Sequence, residues 1–201
     1  MKNFIAVILL LFCVEHPIFS QNEKTAANSL VIRSSKQQNN VIIHNGNQAA
    51  ATQISLSQED IVYNDISNYN PVNSSFEILA DGMYEVSAVF YFNPNRKEKD
   101  FVRFGINFLI LKNMPGQAAR SSIPKYIIAG TRFSFNNENS YLLTKIELPP
   151  VIVRLKAGDV IKAYIGAGNL DVLIDKGQFA TDVQQNIPYS KIIDIKKIEL
   201  E

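Results

Sequence analysis

Phe76-Glu77-Ile78-Leu79-Ala80-Asp81-Gly82-Met83-Tyr84-Glu85-Val86-Ser87-Ala88-Val89-Phe90-Tyr91-Phe92 decides the fold. After Gly82, one parity holds Tyr84, Val86, Ala88, Phe90 and Phe92, while the other carries Glu85 and Ser87. A two-residue period of that kind is a strand with one face in a core. Asp81-Gly82 stands where the chain must turn sharply, since Gly accepts positive φ and Asp tolerates it. The stretch therefore reads as a short strand turning into a long core strand.

Outward from it, the same signals recur. Ile61-Val62-Tyr63-Asn64-Asp65-Ile66 predicts a short strand before the turn-rich Ser67 to Ser75. Asn93 to Asp100 is a charged hairpin loop, and in Phe101 to Leu111 the residues Val102, Phe104, Ile106, Phe108 and Ile110 share one face. Lys112-Asn113-Met114-Pro115-Gly116 closes that strand with Pro-Gly turn chemistry. Tyr126-Ile127-Ile128 and Thr131 to Phe135 predict short strands around Gly130. Tyr141 to Leu155 is a long β-rich run whose Pro149-Pro150 must sit at an edge or bend. Leu155 to Ile161 turns into a strand reaching Ile165, Asp171 to Ile187 is mixed loop, and Ser190 to Leu200 is a last strand. No segment after residue 20 has a helical period, so the chain is all-β, a sandwich or barrel.

The N-terminus reads as an address. Lys2 precedes the apolar run Phe4 to Val14, and Ile18-Phe19-Ser20 supplies a small residue before Gln21, the layout of a secretory signal peptide cleaved after Ser20. The run is shorter than the ~20 apolar residues that a spanning helix needs, so no membrane span is expected in the mature chain. Cys13, the only cysteine, suggests a lipoprotein alternative, but Phe12 before it is bulky where lipidation signals want a small residue. A mature chain without cysteine is held by core burial rather than disulfides, which points to a bacterial envelope or medium. The net charge of +1 argues for neither nucleic acid nor an anionic membrane surface. Residues 21–58 are rich in Asn, Gln, Ser and Ala, with apolar islands at Leu30-Val31-Ile32 and Val41-Ile42-Ile43. They read as a polar, partly ordered leader, the alternative being a hairpin of the two islands that pairs onto a neighbour. The division expected is a signal peptide over 1–20, that leader over 21–58, and the β domain over 59–201.

Little reads as catalytic. The mature chain has one histidine, His44 in the polar leader, where no rigid frame positions a base. One imidazole without a thiolate builds none of the usual zinc sites. Asp171, Asp175 and Asp182 could offer hard oxygens to calcium, but their spacing is not that of an EF-hand, and they read as solvated loop acids. Two carboxylates suffice for glycoside hydrolysis, yet nothing singles out a pair. Gly166-Ala167-Gly168 ends a strand rather than cradling a phosphate, because no helix-forming segment follows. The expectation is a protein that is not an enzyme and holds no cofactor.

Four places together resemble the globular head of complement component one-q, within the tumour necrosis factor-like jelly-roll superfamily. Tyr63-Asn64-Asp65-Ile66 resembles that family's early strand, and Phe76 followed by Asp81-Gly82-Met83-Tyr84 resembles its Phe and Gly-X-Tyr strand start. Leu109-Ile110-Leu111-Lys112-Asn113 resembles its aliphatic strand ending in Lys-Asn, and Leu155-Lys156-Ala157-Gly158-Asp159-Val160 its Leu-X-X-Gly-Asp strand start. Asn64, Phe76, Gly82, Tyr84, Asn113, Gly158 and Asp159 are the motif positions. The order and spacing agree over about residues 61–200. Lys191 to Lys197 lacks the family's aromatic-Gly-aliphatic last strand, Asn169 to Tyr189 is longer than its usual connection, and no collagen stalk precedes the head.

The resemblance implies a two-sheet antiparallel jelly-roll sandwich with no substantial helix, working as a secreted or cell-surface module that binds an extracellular protein or glycan through its loops. It also implies threefold homotrimers. Phe101, Leu109 and Leu111 lie on the parity opposite Val102 to Ile110, and Ile193 and Ile195 lie opposite Ile192 and Ile198, so both strands are apolar on both faces. The resemblance places the two strands on one inner sheet, whose outer face would meet two symmetry mates through those five residues. The alternative is a structural or adhesive surface protein attached through residues 21–58.

Overall fold

The computed structural model describes residues 28–39, 51–95, 103–113, 126–136, 138, 141–167 and 177–199. Among these the strands form two antiparallel sheets. In sheet I, β1 (Ser29–Ser34) lies between β3 (Ile61–Asn64) and β12 (Lys191–Ile198). Next comes β6 (Gly82–Asn93), the long strand that the alternation of Tyr84 to Phe92 predicts. β6 takes β12 and the short β11 (Gln178–Phe179) along one edge and β9 (Thr144–Leu155) along the other. Sheet II runs β4 (Ser67–Asn70), β5 (Ser75–Ile78), β10 (Val160–Ala167), β7 (Arg103–Asn113), β8 (Tyr126–Asn136), with β2 (Ala51–Gln53) pairing β10 beyond β5. The chain passes repeatedly from one sheet to the other, so most neighbours in a sheet are distant in sequence. That winding is a jelly roll.

The pleat sends alternate side chains into the space between the sheets. From sheet I come Leu30, Ile32, Tyr84, Val86, Phe90, Phe92, Ile146 and Leu148, and from sheet II Phe76, Ile78, Ile110, Phe135, Ile161 and Ile165, all buried in one continuous core. At one end four rings pack together: Phe179 meets Phe90 and Phe92 at centroid distances of 5.9 and 5.2 Å, and Phe92 meets Phe135 at 6.2 Å. Edge-to-face and tilted contacts of this kind add to the burial itself.

Three expectations are corrected. The strands of Phe101 to Leu111 and Ser190 to Leu200 do not share a sheet: β7 belongs to sheet II and β12 to sheet I. Ile193 and Ile195 are 3% and 1% exposed, facing the core instead of the outside. On β12 the charges of Asp194 and Lys196 take the other parity to solvent, and a strand's two parities cannot be exchanged without flipping every side chain. Asp81-Gly82 does not turn through positive φ, since neither residue is among those with it. It moves the chain from β5 in one sheet to β6 in the other. At Gly82 the Lys197 side chain passes close to the backbone, its Cε 2.6 Å from where a Cβ would stand, and that flexible chain would have to move aside for a larger residue.

Part of the segment read as a leader also belongs to the sandwich, because Leu30 and Ile32 of β1 are buried between β3 and β12. Pro149-Pro150 do sit on an edge strand. The pairing of β6 with β9 slips between Val86 and Ala88, opposite Val151 and Leu148, so both prolines fall in a bulge where no ladder donor is needed.

Phe90 is fully buried and opposes the equally buried Phe179. Phe90→Ala should cost about 3–5 kcal/mol in urea unfolding, whereas Val72→Ala at a residue 93% exposed should be nearly silent. Equal midpoints for the two variants would show that the inward parity of β6 is misassigned.

Candidate functional site

The outer face of sheet I is where half-exposed apolar side chains gather. On β6 the residues alternating with the core set are Met83, Glu85, Ser87, Val89 and Tyr91; on β12 they are Ile192, Asp194 and Lys196, and on β1 Val31 and Arg33. Strand register sets them in rows across the sheet. Tyr63, Val31, Asp194 and Ser87 form one row, and Arg33, Ile192, Val89 and Glu147 the next. Arg33 reaches diagonally to Asp194, Nη1 to Oδ1 at 2.7 Å, and its Nη1 also donates to the Ile32 carbonyl at 2.9 Å. On the flank of the face, Lys145 and Glu147 pair at 3.0 Å along β9. The Glu147 carboxylate holds the exposed Lys145 ammonium above its ordinary pKa, first by that hydrogen bond and then by charge. The surface is thus apolar and aromatic in patches, with Arg33 paired to Asp194 and Lys145 to Glu147.

Below these rows, Asn28, Glu85, Lys196, Lys197, Ile198 and Glu199 line an open groove of about 480 Å³. Here the first and last described residues meet, as the Asn28 Nδ2 donates to Glu199 at 3.3 Å and the Lys197 N–H to the Asn28 carbonyl at 2.8 Å. Asp65 anchors the same end. Its carboxylate accepts the N–H of Asn28 at 2.7 Å, that of Ser29 at 2.6 Å and the Tyr63 hydroxyl at 2.8 Å. Desolvation pushes the carboxyl pKa up, but those hydrogen bonds outweigh it and hold the group below its usual value.

The sequence-predicted positions divide in two. Ile193 and Ile195 are in the core, and the side chains of Phe101, Leu109 and Leu111 lie outside the described residues, so the outer face is built from other residues. The signal that finds them is the parity of Asp194 and Lys196, which marks Ile192 as outward. The motif positions, by contrast, converge on the turns that move the chain between sheets. Asn64 ends β3, and its side chain exchanges hydrogen bonds with Ser67 (Oδ1 from the N–H at 3.0 Å, Nδ2 to the carbonyl at 2.7 Å) as the chain crosses to β4. Asp81 at the β5–β6 crossing accepts the Ala157 N–H at 2.9 Å, and the Tyr84 hydroxyl donates back to the Ala80 carbonyl at 2.8 Å. Gly158 carries the turn before β10 at φ 82°, where a side chain would be strained. Asp159, 2% exposed, accepts Lys112 Nζ and the Lys156 N–H, both at 3.0 Å, while its carbonyl takes the Ile78 N–H at 2.9 Å. Phe76 is core, and Asn113 pairs with Val160 beside this clamp.

Of the three acids considered for calcium, Asp182 accepts the N–H groups of Gln184 and Gln185 at 3.0 and 3.3 Å, capping a short 3₁₀ turn. Asp171 and Asp175 lie outside the described residues, as does His44. Among the described residues no group of three or more His, Cys, Asp or Glu is placed to hold a metal ion, and no helix is long and apolar enough to cross a membrane.

No family model and no curated protein sequence matches the chain. Solved structures do. Crystal structures of murine APRIL at pH 5.0 and pH 8.5 are similar at 11% and 10% identity, covering 84% and 85% of this chain and 98% of theirs, each at TM-score 0.45. Eiger TNF from S. frugiperda is similar at 10% identity over 87% of this chain and 94% of its own, at TM-score 0.46.

The Asp159 clamp generates a stability prediction. Removing one partner of a buried ion pair leaves the other charge uncompensated, at about 3–5 kcal/mol. Asp159→Ala should lower the unfolding free energy measured in urea by that much, while Lys145→Ala, breaking the exposed pair on β9, should change little. Similar small losses in both would show that the crossing does not depend on Asp159.

Proposed function

We propose that this chain is an extracellular, non-enzymatic binding module of the one-q head kind, exported by its first 20 residues and assembled as a homotrimer that takes a protein or glycan ligand through its loops. The observation that carries the reading is the outer face of sheet I, where Val31, Tyr63, Val89, Tyr91 and Ile192 stand half-exposed in continuous register around the Arg33–Asp194 pair. A β-sandwich normally turns its second face polar, so an apolar one is a surface to be covered. Copies related by rotation would cover it three at a time. The acids support the binding reading from the other side. Asp65, Asp81, Asp159 and Asp182 each accept backbone N–H groups at turns, which is architectural work rather than proton transfer.

The adhesive alternative, attachment through residues 21–58, is favoured by one observation. The chain enters the sandwich at Asn28 on the same end as Glu199 and Gly82, while Asn93 and Gln178 pair at the far end of β6. A tether at the N-terminus would hold the head with that far end outward.

Two measurements test the proposal. N-terminal sequencing of the exported protein should begin at Gln21, and an intact Met1 would remove the export reading. Light scattering on the mature chain at micromolar concentration should give three times the monomer mass. Val89→Arg and Ile192→Asp should reduce it to the monomer with cooperative melting retained, because a charge there would be buried unpaired in every copy. A folded wild-type monomer would overturn the trimer.

A further inference from the structure

Lys191 is the first residue of β12 and shares the inward parity of Ile193 and Ile195. It is 1% exposed. Its Nζ donates to the Lys36 carbonyl at 3.2 Å and lies 5.6 Å from the centre of the Phe179 ring. Register sets it opposite Ser34 of β1 and Phe90 of β6, both buried and uncharged. The charged groups acting on it are Asp60, in the short 3₁₀ turn before β3, and Lys36. The Lys36 ammonium is itself paired with Glu59 and hydrogen-bonded to the Ser57 hydroxyl at 2.9 Å. Asp60 is buried and its Oδ2 accepts the Ser57 N–H at 2.7 Å and the Ser57 hydroxyl at 2.9 Å.

The Lys36 carbonyl belongs to a segment, residues 35–39, that leaves β1 and crosses the open end of the sandwich. Gln38 exchanges both backbone hydrogen bonds with Phe179 on the sheet I side, at 3.1 and 3.0 Å. Its side chain reaches the other side, donating to the Gln53 carbonyl at 3.2 Å and accepting the Ser55 N–H at 2.9 Å. Ser190 Oγ adds a bond to the Lys36 carbonyl at 2.7 Å. The segment is a strap joining the two sheets, with an ammonium sealed beneath it.

We propose that this strap is a proton-responsive closure: the ionised Lys191 favours its release and the neutral amine its closed form. The reason is solvation. With the strap closed, the ammonium has a carbonyl and a ring in place of water, which is less than a cation needs. Burial lowers its pKa from the ordinary 10.5 to about 8, with Asp60 opposing that change and Lys36 adding to it. In the open state the amine regains its ordinary value. The sign follows from linkage: between the two values the open state binds more protons, so closure strengthens as pH rises through that window and is weakest, and flat, below it. Gln38 and Phe179, whose mutual bonds seal the strap, report the change.

Amide hydrogen exchange on the full mature chain tests this, with rates divided by their intrinsic values at each pH. Protection of the Gln38 and Phe179 amides should rise about tenfold from pH 7 to pH 9, as the two pKa values require, while that of Val86 in the centre of β6 should not follow. Lys191→Met should abolish the rise. Carbon-13 labelling of lysine Cε should show Lys191 titrating near 8. A Lys191 midpoint close to 10.5, an unchanged Gln38 protection, a rise that persists in Lys191→Met, or an equal rise at every amide would each overturn the proposal.

Discussion

A two-sheet sandwich in which consecutive strands change sheets must take the backbone repeatedly across its own edges. At each crossing, N–H and C=O groups leave their ladders and must be satisfied some other way or desolvated at a cost. The Asp159 clamp solves this for three segments at once. One carboxylate oxygen takes the Lys156 N–H and the Lys112 ammonium, and the residue's own carbonyl takes Ile78, so the starts and ends of β5, β7 and β10 are tied at a single point. Asp81 joins the β5–β6 crossing to the same turn through Ala157. Without this knot, sheet II would lack a fixed register against the strand that feeds sheet I.

This also explains which parts of the fold were legible in the sequence. The long alternation from Tyr84 to Phe92 is legible because a period of two is local, whereas Asn64, Gly158 and Asp159 stand out through the resemblance, and the positive-φ turn read at Asp81-Gly82 is absent. Strand-to-sheet assignment is not local. Parity within a strand says nothing about which sheet receives it, so the sequence offers no check on the resemblance, which sets β7 and β12 on one inner sheet although the crossings separate them. The parity of β12 was misread for a further reason. Lys191 and Lys197 bracket Ile193 and Ile195, so both parities contain charge, and the buried Lys191 makes the inward one look mixed. β1 was hidden by its polar neighbours, since five apolar or small residues in an Asn- and Gln-rich segment carry little signal until β3 and β12 are beside them.

The edges of sheet I constrain how copies could meet. β9 is an outer strand, and Pro149-Pro150 remove two donors from its middle and kink it into a bulge. An incoming strand could not pair there over any length. On the opposite edge β3 is only four residues long, and its pairing with β1 slips at Val31. On the outer face between these edges, the Arg33–Asp194 pair satisfies two charges within the chain itself.

The two ends of the sandwich treat charge in opposite ways. At the Asp65 end, the carboxylate accepts the N–H groups of Asn28 and Ser29, so ionisation and folding reinforce each other. Acidification is what weakens it: a carboxyl held below its usual pKa contributes stability above the unfolded value and loses it as pH falls through the folded one. At the strap end the buried charge is a cation whose close partners are a carbonyl and a ring, with Asp60 favouring it by charge but not enough to offset burial, so ionisation and closure oppose each other, and weakening begins on the alkaline side of neutral. Around pH 7 the first end is therefore at full strength and the second is not. Local opening should concentrate at the poorly compensated end, which is also the end remote from Asn28, where the chain enters, and nearest the loop that follows Asn93. A head tethered by its N-terminus would thus present its more yielding end outward, with the tight crossing knot at its base.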